Sequence, residues 1–148
     1  MAFYFLDTSA LVKRYYDEPG TETVDRLVSS EMPTAISSLS VIETTSTFRR
    51  KYNRDEITES DTNALLGEFF REALDDFMII PLDESLTQFS FELVTAHDLR
   101  TLDSLQLSAA LSLSTDEEAP VFVCADSDLV STAKQHGLDT VNPEAEKS

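Results

Sequence analysis

Cysteine occurs once in the 148 residues and lysine four times. The lone Cys124 excludes an internal disulfide framework and a cysteine-based zinc site. The longest apolar runs, such as Met78-Ile79-Ile80 and Val121-Phe122-Val123-Cys124, fall far short of the roughly 20 residues a membrane span requires. Met1 leads directly into Ala2-Phe3-Tyr4-Phe5-Leu6, with no basic leader and no cleavage-like segment, so the expected location is the cytoplasm. No linker, repeat or low-complexity block divides the chain, and its length is that of one domain.

What the sequence has in excess is negative charge. Asp and Glu number 28 against 11 Lys and Arg, a formal charge of -17 that is heavier in the second half. Hydrophobic residues at 41% still supply a core, which excludes a wholly disordered acidic tail. An acidic, lysine-poor surface suits a halophilic source, because at about 1 M salt the Debye length shrinks to roughly 3 Å and self-repulsion is screened. An ordinary solvated acidic surface is the alternative. The net charge opposes non-specific nucleic-acid binding, which draws its affinity from Lys and Arg. It weighs less against an enzyme, since divalent ions bridge carboxylates and phosphates locally.

Short apolar runs alternate with helical patterns. Strands are predicted at 3–7, Thr34–Ser37, Met78–Ile80 and Val121–Cys124, with a small edge strand at Asp139–Val141. A helix opens after a Thr8-Ser9 cap and runs until Pro19-Gly20 breaks it. Further helices are predicted at Thr21–Ser30, Ser38–Tyr52, Ser60–Asp75, Ser85–His97, Leu102–Ser112 and up to His136-Gly137. In Ser60–Asp75, Leu65, Leu66, Phe69, Phe70 and Leu74 are expected inside. The pattern is that of an α/β fold, a doubly wound, mainly parallel sheet flanked by helices. Residues 1–142 form the expected domain and 143–148 a flexible C-terminal tail.

In such sheets chemistry gathers beyond the carboxyl ends of the strands. Asp7 ends the first strand and Asp126 follows the late strand at 121–124, so both face one rim if those strands are neighbours. Each also suits capping of the helix that follows it. Glu43 adjoins an apolar stripe early in its helix, and Asp103 sits in the first turn of an otherwise apolar one. A lone ionised carboxylate there would suffer desolvation; Arg100 or a metal ion is its candidate partner. Four acids from distant segments repel unless cations join them, and all-oxygen ligation suits Mg²⁺ or Mn²⁺. His97 and His136 have no paired metal-ligand spacing and read as surface residues.

Four segments together resemble the PIN-domain ribonucleases, specifically the VapC-like toxins of type II toxin–antitoxin systems. They are Phe5-Leu6-Asp7-Thr8-Ser9-Ala10-Leu11-Val12-Lys13, Ile36-Ser37-Ser38-Leu39-Ser40-Val41-Ile42-Glu43, Leu99-Arg100-Thr101-Leu102-Asp103-Ser104-Leu105-Gln106-Leu107 and Val121-Phe122-Val123-Cys124-Ala125-Asp126-Ser127-Asp128-Leu129. The resemblance implies a single PIN-like domain that hydrolyses RNA phosphodiester bonds as a divalent-metal-dependent endoribonuclease. It implies catalytic roles for Asp7, Glu43, Asp103 and Asp126. Asp7 and Asp103 would ligate the metal directly, Glu43 and Asp126 directly or through water, with Asp128 as a further candidate. Thr8 or Ser9 would supply a supporting hydroxyl. Two positions depart from the family pattern: Gln106 stands where His is common, and Cys124 where Thr or Ser is common.

Lys13, Arg14, Arg49, Arg50, Lys51 and Arg54 are the candidates for RNA contact, with a solvated helix surface as the alternative. The resemblance also implies a homodimer and a cognate antitoxin. Tyr15, Tyr16, Phe48, Tyr52 and helix 60–75 are candidates for protein contact. A catalytically silent PIN fold used as a regulatory or protein-binding module is the competing function. A receiver domain and a haloacid-dehalogenase-type phosphotransferase fit less well: the former wants an acidic pair near the first strand, the latter a second Asp where Ser9 stands.

Overall fold

The computed structural model of the chain describes residues 2–145. In chain order the elements are β1 (Tyr4–Leu6), α1 (Thr8–Leu11), α2 (Thr21–Val28), β2 (Thr34–Ser37), α3 (Ser38–Asn53), α4 (Glu59–Asp75), β3 (Met78–Ile80), α5 (Glu84–His97), α6 (Thr101–Ser112), β4 (Val121–Val123), α7 (Ser127–Gln135) and β5 (Asp139–Val141). The strands form one sheet in the order β3-β2-β1-β4-β5, with every pairing parallel. This is the expected α/β architecture, and the sheet is wholly rather than mainly parallel.

The two-residue period of the strands divides the core. Phe5, Ala35 and Phe122 face one side, where they pack with Leu93 of α5, Leu107 of α6 and Leu129 of α7. Their sequence neighbours Leu6, Ile36 and Val123 face the other, against Leu11, Val24, Phe48 and Phe69. A strand buried on both faces needs apolar residues at consecutive positions, which is why these strands read as continuous runs. From β1 the chain steps outward through β2 to β3, then returns to place β4 and β5 on the other side of β1. The direction of winding therefore reverses between β1 and β4, and a crevice opens at their carboxyl ends.

Three local features differ from expectation. Of the two caps the sequence allows for α1, Asp7 rather than Thr8-Ser9 makes it, and the helix, instead of running to Pro19, is four residues long and tightens into a 3-10 helix at Val12–Arg14. On α4 the buried stripe is Thr62, Phe69, Glu72 and Ala73, so Phe70 and Leu74 point outward. Adjacent apolar residues such as Phe69-Phe70 cannot both occupy one narrow helical stripe. Tyr15 and Phe48, candidates for protein contact, are instead core residues. Of the expected tail, Pro143 sits against Gly20, where a Cβ would come within 2.9 Å of its ring, and Glu144 pairs with Lys13 at 3.4 Å. Residues 146–148 lie outside the described residues. Among the described residues no helix is long and apolar enough to cross a membrane.

Buried Glu72 ties α4 to the segment after α1. Arg14 donates to both of its oxygens, at 3.1 and 2.9 Å, and the Tyr15 hydroxyl donates at 2.7 Å. Arg14 also reaches Asp25 of α2 at 3.0 Å. Burial by itself would raise the Glu72 pKa; the Arg14 and Tyr15 hydrogen bonds outweigh it and hold the carboxyl below the usual glutamate range. A depressed carboxylate stabilises the fold above its unfolded pKa, and that stabilisation fades as pH falls through the folded value. Glu72→Ala should lower stability by about 3 kcal/mol at pH 7, since it strands a partly buried guanidinium and a buried hydroxyl. In urea unfolding, the gap from the parent should narrow in acid below the ordinary glutamate value.

Candidate active site

The crevice is built from the strand ends inward. The Asp7 backbone N–H donates to Val123 O at 2.9 Å, locking the end of β1 to β4. The Asp7 carboxylate accepts from the Ser9 N–H at 3.2 Å and the Ser9 hydroxyl at 2.6 Å. Ser9 Oγ in turn accepts the Ala125 N–H at 3.0 Å, so one hydroxyl stitches the two strand ends together. Cys124 lies beneath, its Sγ 3.6 Å from Asp7 Oδ2. Burial pushes the Cys124 thiol well up, and the Asp7 charge adds to this, so it stays protonated. Asp126 caps α7 by accepting the Asp128 and Leu129 N–H groups at 2.9 and 3.2 Å. Asp7 and Asp126 thus serve as helix caps and line the crevice at once.

Glu43 arrives from α3, which follows β2 on the other side of β1. Its Oε1 accepts from Thr8 Oγ1 and Gln106 Nε2, each at 2.8 Å. Gln106, which is buried, also places Nε2 at 2.9 Å from Thr8 Oγ1 and 2.8 Å from Ser40 Oγ. Its carbonyl accepts from Ser37 Oγ at 3.1 Å. The amide has only one workable orientation, because a flipped carbonyl would face the Glu43 carboxylate. With Oε1 committed inward, Glu43 Oε2 makes no hydrogen bond among the described residues. Gln106, Ser37 and Ser40 were given no role from sequence. The available signal was Gln106, a polar residue one helical turn after Asp103 on an apolar helix; its partners lie far away in the chain.

Asp103 stands in the first turn of α6. Arg100 reaches it at 3.6 Å and reaches Asp126 at 3.9 Å. Asp7, Glu43, Asp103 and Asp126 all line one cavity of about 250 Å³ together with Thr8 and Ser9, and among the described residues Arg100 is the only cationic side chain lining it. Asp128 does not join them. It faces an adjoining cavity of about 390 Å³, which it shares with Asp103, Asp126 and His97.

The electrostatics follow from this crowding. Asp7 is raised to about 6, first by burial and then by the Asp103 and Glu43 charges, against the lowering effect of Ser9. Asp103 is also raised, by burial first, with Arg100 lowering it and Asp126 and Glu43 raising it further. Four carboxylates facing one guanidinium leave local negative charge unbalanced. An all-oxygen donor set with excess negative charge fits a hard divalent cation, Mg²⁺ or Mn²⁺. Among the described residues no three His, Cys, Asp or Glu stand close enough to form a ready-made ion cage. The fit therefore lies in the donor chemistry and the charge.

The basic residues divide. Lys13 is buried, its ammonium bound to Glu18 at 2.9 Å and to Glu144, and Arg14 is held by Glu72 and Asp25. That placement corrects the expectation of RNA contact for these two: their charge is compensated within the fold. Arg49 lies over Tyr52 at 4.9 Å and Lys51 over Tyr16 at 4.2 Å, while Arg54 is exposed. Arg50 borders a cavity of about 240 Å³ whose other lining residues include Glu43, Leu39 and Leu102.

The Asp7 shift has a sign that can be tested. A carboxyl whose folded pKa lies above its unfolded value destabilises the fold when ionised, and the penalty disappears as pH falls toward 3.8. The interval from 3.8 to about 6 corresponds to about 3 kcal/mol. Asn retains the capping oxygen. In EDTA at pH 7.5, Asp7→Asn should therefore be more stable than the parent by up to about 3 kcal/mol. The difference should close near pH 4 in urea titrations.

The model of the PIN domain matches residues 4–135. No curated protein matches the chain in sequence. Among solved structures, FitAcB from Neisseria gonorrhoeae aligns with a TM-score of 0.73 at 17% identity, over 99% of this chain and 100% of that one. A toxin–antitoxin complex from Klebsiella pneumoniae aligns at 0.65 and 16% identity, over 95% and 97%. VapBC2 from Rickettsia felis, bound to a DNA fragment from its promoter, aligns at 0.63 and 18%, over 95% and 98%. At such identities the likeness is one of fold. With its family model running from β1 to the end of α7, the chain belongs to the PIN domain family.

Proposed function

We propose that this PIN domain is a divalent-metal-dependent endoribonuclease acting as the toxin of a toxin–antitoxin pair. The observation that carries the reading is the single cavity lined by Asp7, Glu43, Asp103 and Asp126, which come from four separate parts of the chain. The solved structures that share the fold include complexes described as toxin–antitoxin pairs, which supports the biological role. Mg²⁺, or Mn²⁺ in its place, would offset the charge of the scissile phosphate and lower the pKa of the attacking water.

The chain's own residues set up that chemistry. Asp7 and Asp103 would be the direct ligands: both are driven toward neutrality by burial and by neighbouring carboxylates, and a cation would restore their ionised form. Ser9 orients Asp7. Thr8 and Gln106 hold one oxygen of Glu43 and leave the other directed to the ion or its water shell. Asp126 acts from the opposite wall and Arg100 spans it and Asp103. Asp128, beyond them, is an outer candidate. Backbone phosphates would follow α3, where Arg50 is nearest the acids and Arg54 lies one turn on along the same face, with Arg49 and Lys51 to either side and Lys51 already paired with Glu56 at 3.8 Å. Leu74 and Phe91, at 78% and 68% exposure, leave apolar surface of the kind that an antitoxin or a second copy would cover.

Purified protein with Mg²⁺ should cleave RNA to 5′-phosphate and 3′-hydroxyl ends, and Asp7→Asn should lose about a hundredfold or more of that activity, because even residues behind a metal ligand cost up to about that much. Circular dichroism on the same preparation should show the fold intact; undiminished cleavage by the variant would remove Asp7 from the site. A parent protein that binds RNA but never cleaves it would support the silent module instead. Arg50→Glu should weaken RNA binding and flatten its salt dependence by about one phosphate contact. Lys13→Met should instead lower stability in urea and leave the salt dependence of RNA binding as it was.

A further inference from the structure

Arg100, with Asp103 and Asp126, lines both the cavity of about 250 Å³ that holds the four acids and the adjoining one of about 390 Å³. Its two ion pairs therefore stand at the partition between them, Nε 3.6 Å from Asp103 Oδ2 and Nη2 3.9 Å from Asp126 Oδ2. His97, whose Nε2 meets that of His136 at 3.0 Å, lines the larger cavity with Asp128. The Arg100 backbone is fixed: it caps α6, and its carbonyl accepts the Ser104 N–H at 2.9 Å. Its side chain is 84% exposed, and both contacts are longer than an ordinary hydrogen bond. Pairs this open contribute little and cost little to break. Arg14 shows the opposite case, a structural arginine 22% exposed and paired at 2.9 and 3.0 Å.

We propose that Arg100 is a stand-in cation: it neutralises Asp103 and Asp126 in the free protein, gives way when a divalent ion is bound by the acids, and then takes a phosphate oxygen of the RNA. The inference rests on the nuclease reading and gives chemistry to a residue that reading only placed. Charge supplies the reason to move. A guanidinium about 6 Å from a divalent ion costs that ion about tenfold in affinity even in water, so the two do not share a pair of carboxylates comfortably. Exposure supplies the freedom, since the side chain can swing at the mouth while its backbone stays capped to α6. The guanidinium supplies the destination, because its planar fork matches phosphate oxygens. Arg50 adjoins the acids at the Glu43 wall and Arg100 at the Asp103–Asp126 wall, so the two arginines flank the cavity that a scissile phosphate would enter.

The test compares the full chain with Arg100→Gln and Arg100→Lys, changes that so exposed a side chain tolerates. Without RNA, Arg100→Gln should bind Mn²⁺ about three- to tenfold more tightly than the parent, read from the electron paramagnetic resonance of the free ion. Arg26→Gln, the same change of charge at an exposed position on α2, should leave Mn²⁺ affinity where it was. With RNA and saturating Mg²⁺, Arg100→Gln should lose about tenfold in kcat/KM and lower the salt slope of KM by about one phosphate contact. Arg100→Lys should restore the salt slope but not the full rate, because an ammonium lacks the fork. Mn²⁺ binding that is unchanged or weaker in Arg100→Gln would overturn the proposal, and so would cleavage by that variant with the parent's rate and salt slope. In both of those outcomes the parent still cleaves RNA and the nuclease reading stands. A parent that cleaves no RNA removes that reading, and this inference with it.

Discussion

Mutual repulsion among four carboxylates at one crevice is the constraint to which this site answers. Asp7, Glu43, Asp103 and Asp126 share a cavity with a single guanidinium, and that of Arg100 is mostly solvent-exposed. The fold accommodates the charge in two ways. Asp7 and Asp126 accept N–H groups at the starts of α1 and α7, and Asp103 occupies the first turn of α6, where free N–H groups and the helix dipole favour an anion. Hydroxyl and amide donors from Ser9, Thr8 and Gln106 do the rest. The remainder appears as the raised pKa values of Asp7 and Asp103.

The supporting groups are neutral throughout. Gln106 donates to Glu43, Thr8 and Ser40 without adding charge; an ammonium or guanidinium in its place would pair with Glu43 and withdraw it from the cavity. Cys124 beneath Asp7 is likewise uncharged, because burial keeps its thiol protonated. Neither adds a counter-charge, so that the acids' cationic neighbour in the cavity is Arg100.

Positive charge is scarce, and the fold uses it unevenly. Lys13 and Arg14, adjacent to Asp7 in sequence, are drawn into ion pairs with Glu18, Glu144, Asp25 and Glu72 that bind α2, α4 and the C-terminal segment to the body. The run from Arg49 to Arg54 lies at the end of α3, beginning nearly two turns after Glu43, with Arg49, Arg50 and Arg54 exposed and Lys51 half-buried. A chain with a net charge of -17 thus still carries a local cluster of basic residues near its acids.

The alternation of short buried strands with helices was legible in the chain, because a strand covered on both faces must be apolar at every position. So was the candidacy of Asp7 and Asp126, since each stands where an apolar run stops. Apolar pairs such as Phe69-Phe70 leave a helix stripe ambiguous by one residue, and only the rotation of α4 against α3 and the core that Phe48 and Phe69 share puts Phe70 and Leu74 outside. Which basic residues face solvent, how Gln106 grips Glu43 and why His97 meets His136 depend on contacts between segments dozens of residues apart. By itself the sequence determined the elements, their apolar faces and the identity of the acids, all local consequences of periodicity and residue chemistry. The tertiary structure alone decided that those acids share one cavity, because the reversal of winding between β1 and β4 places the ends of distant segments side by side.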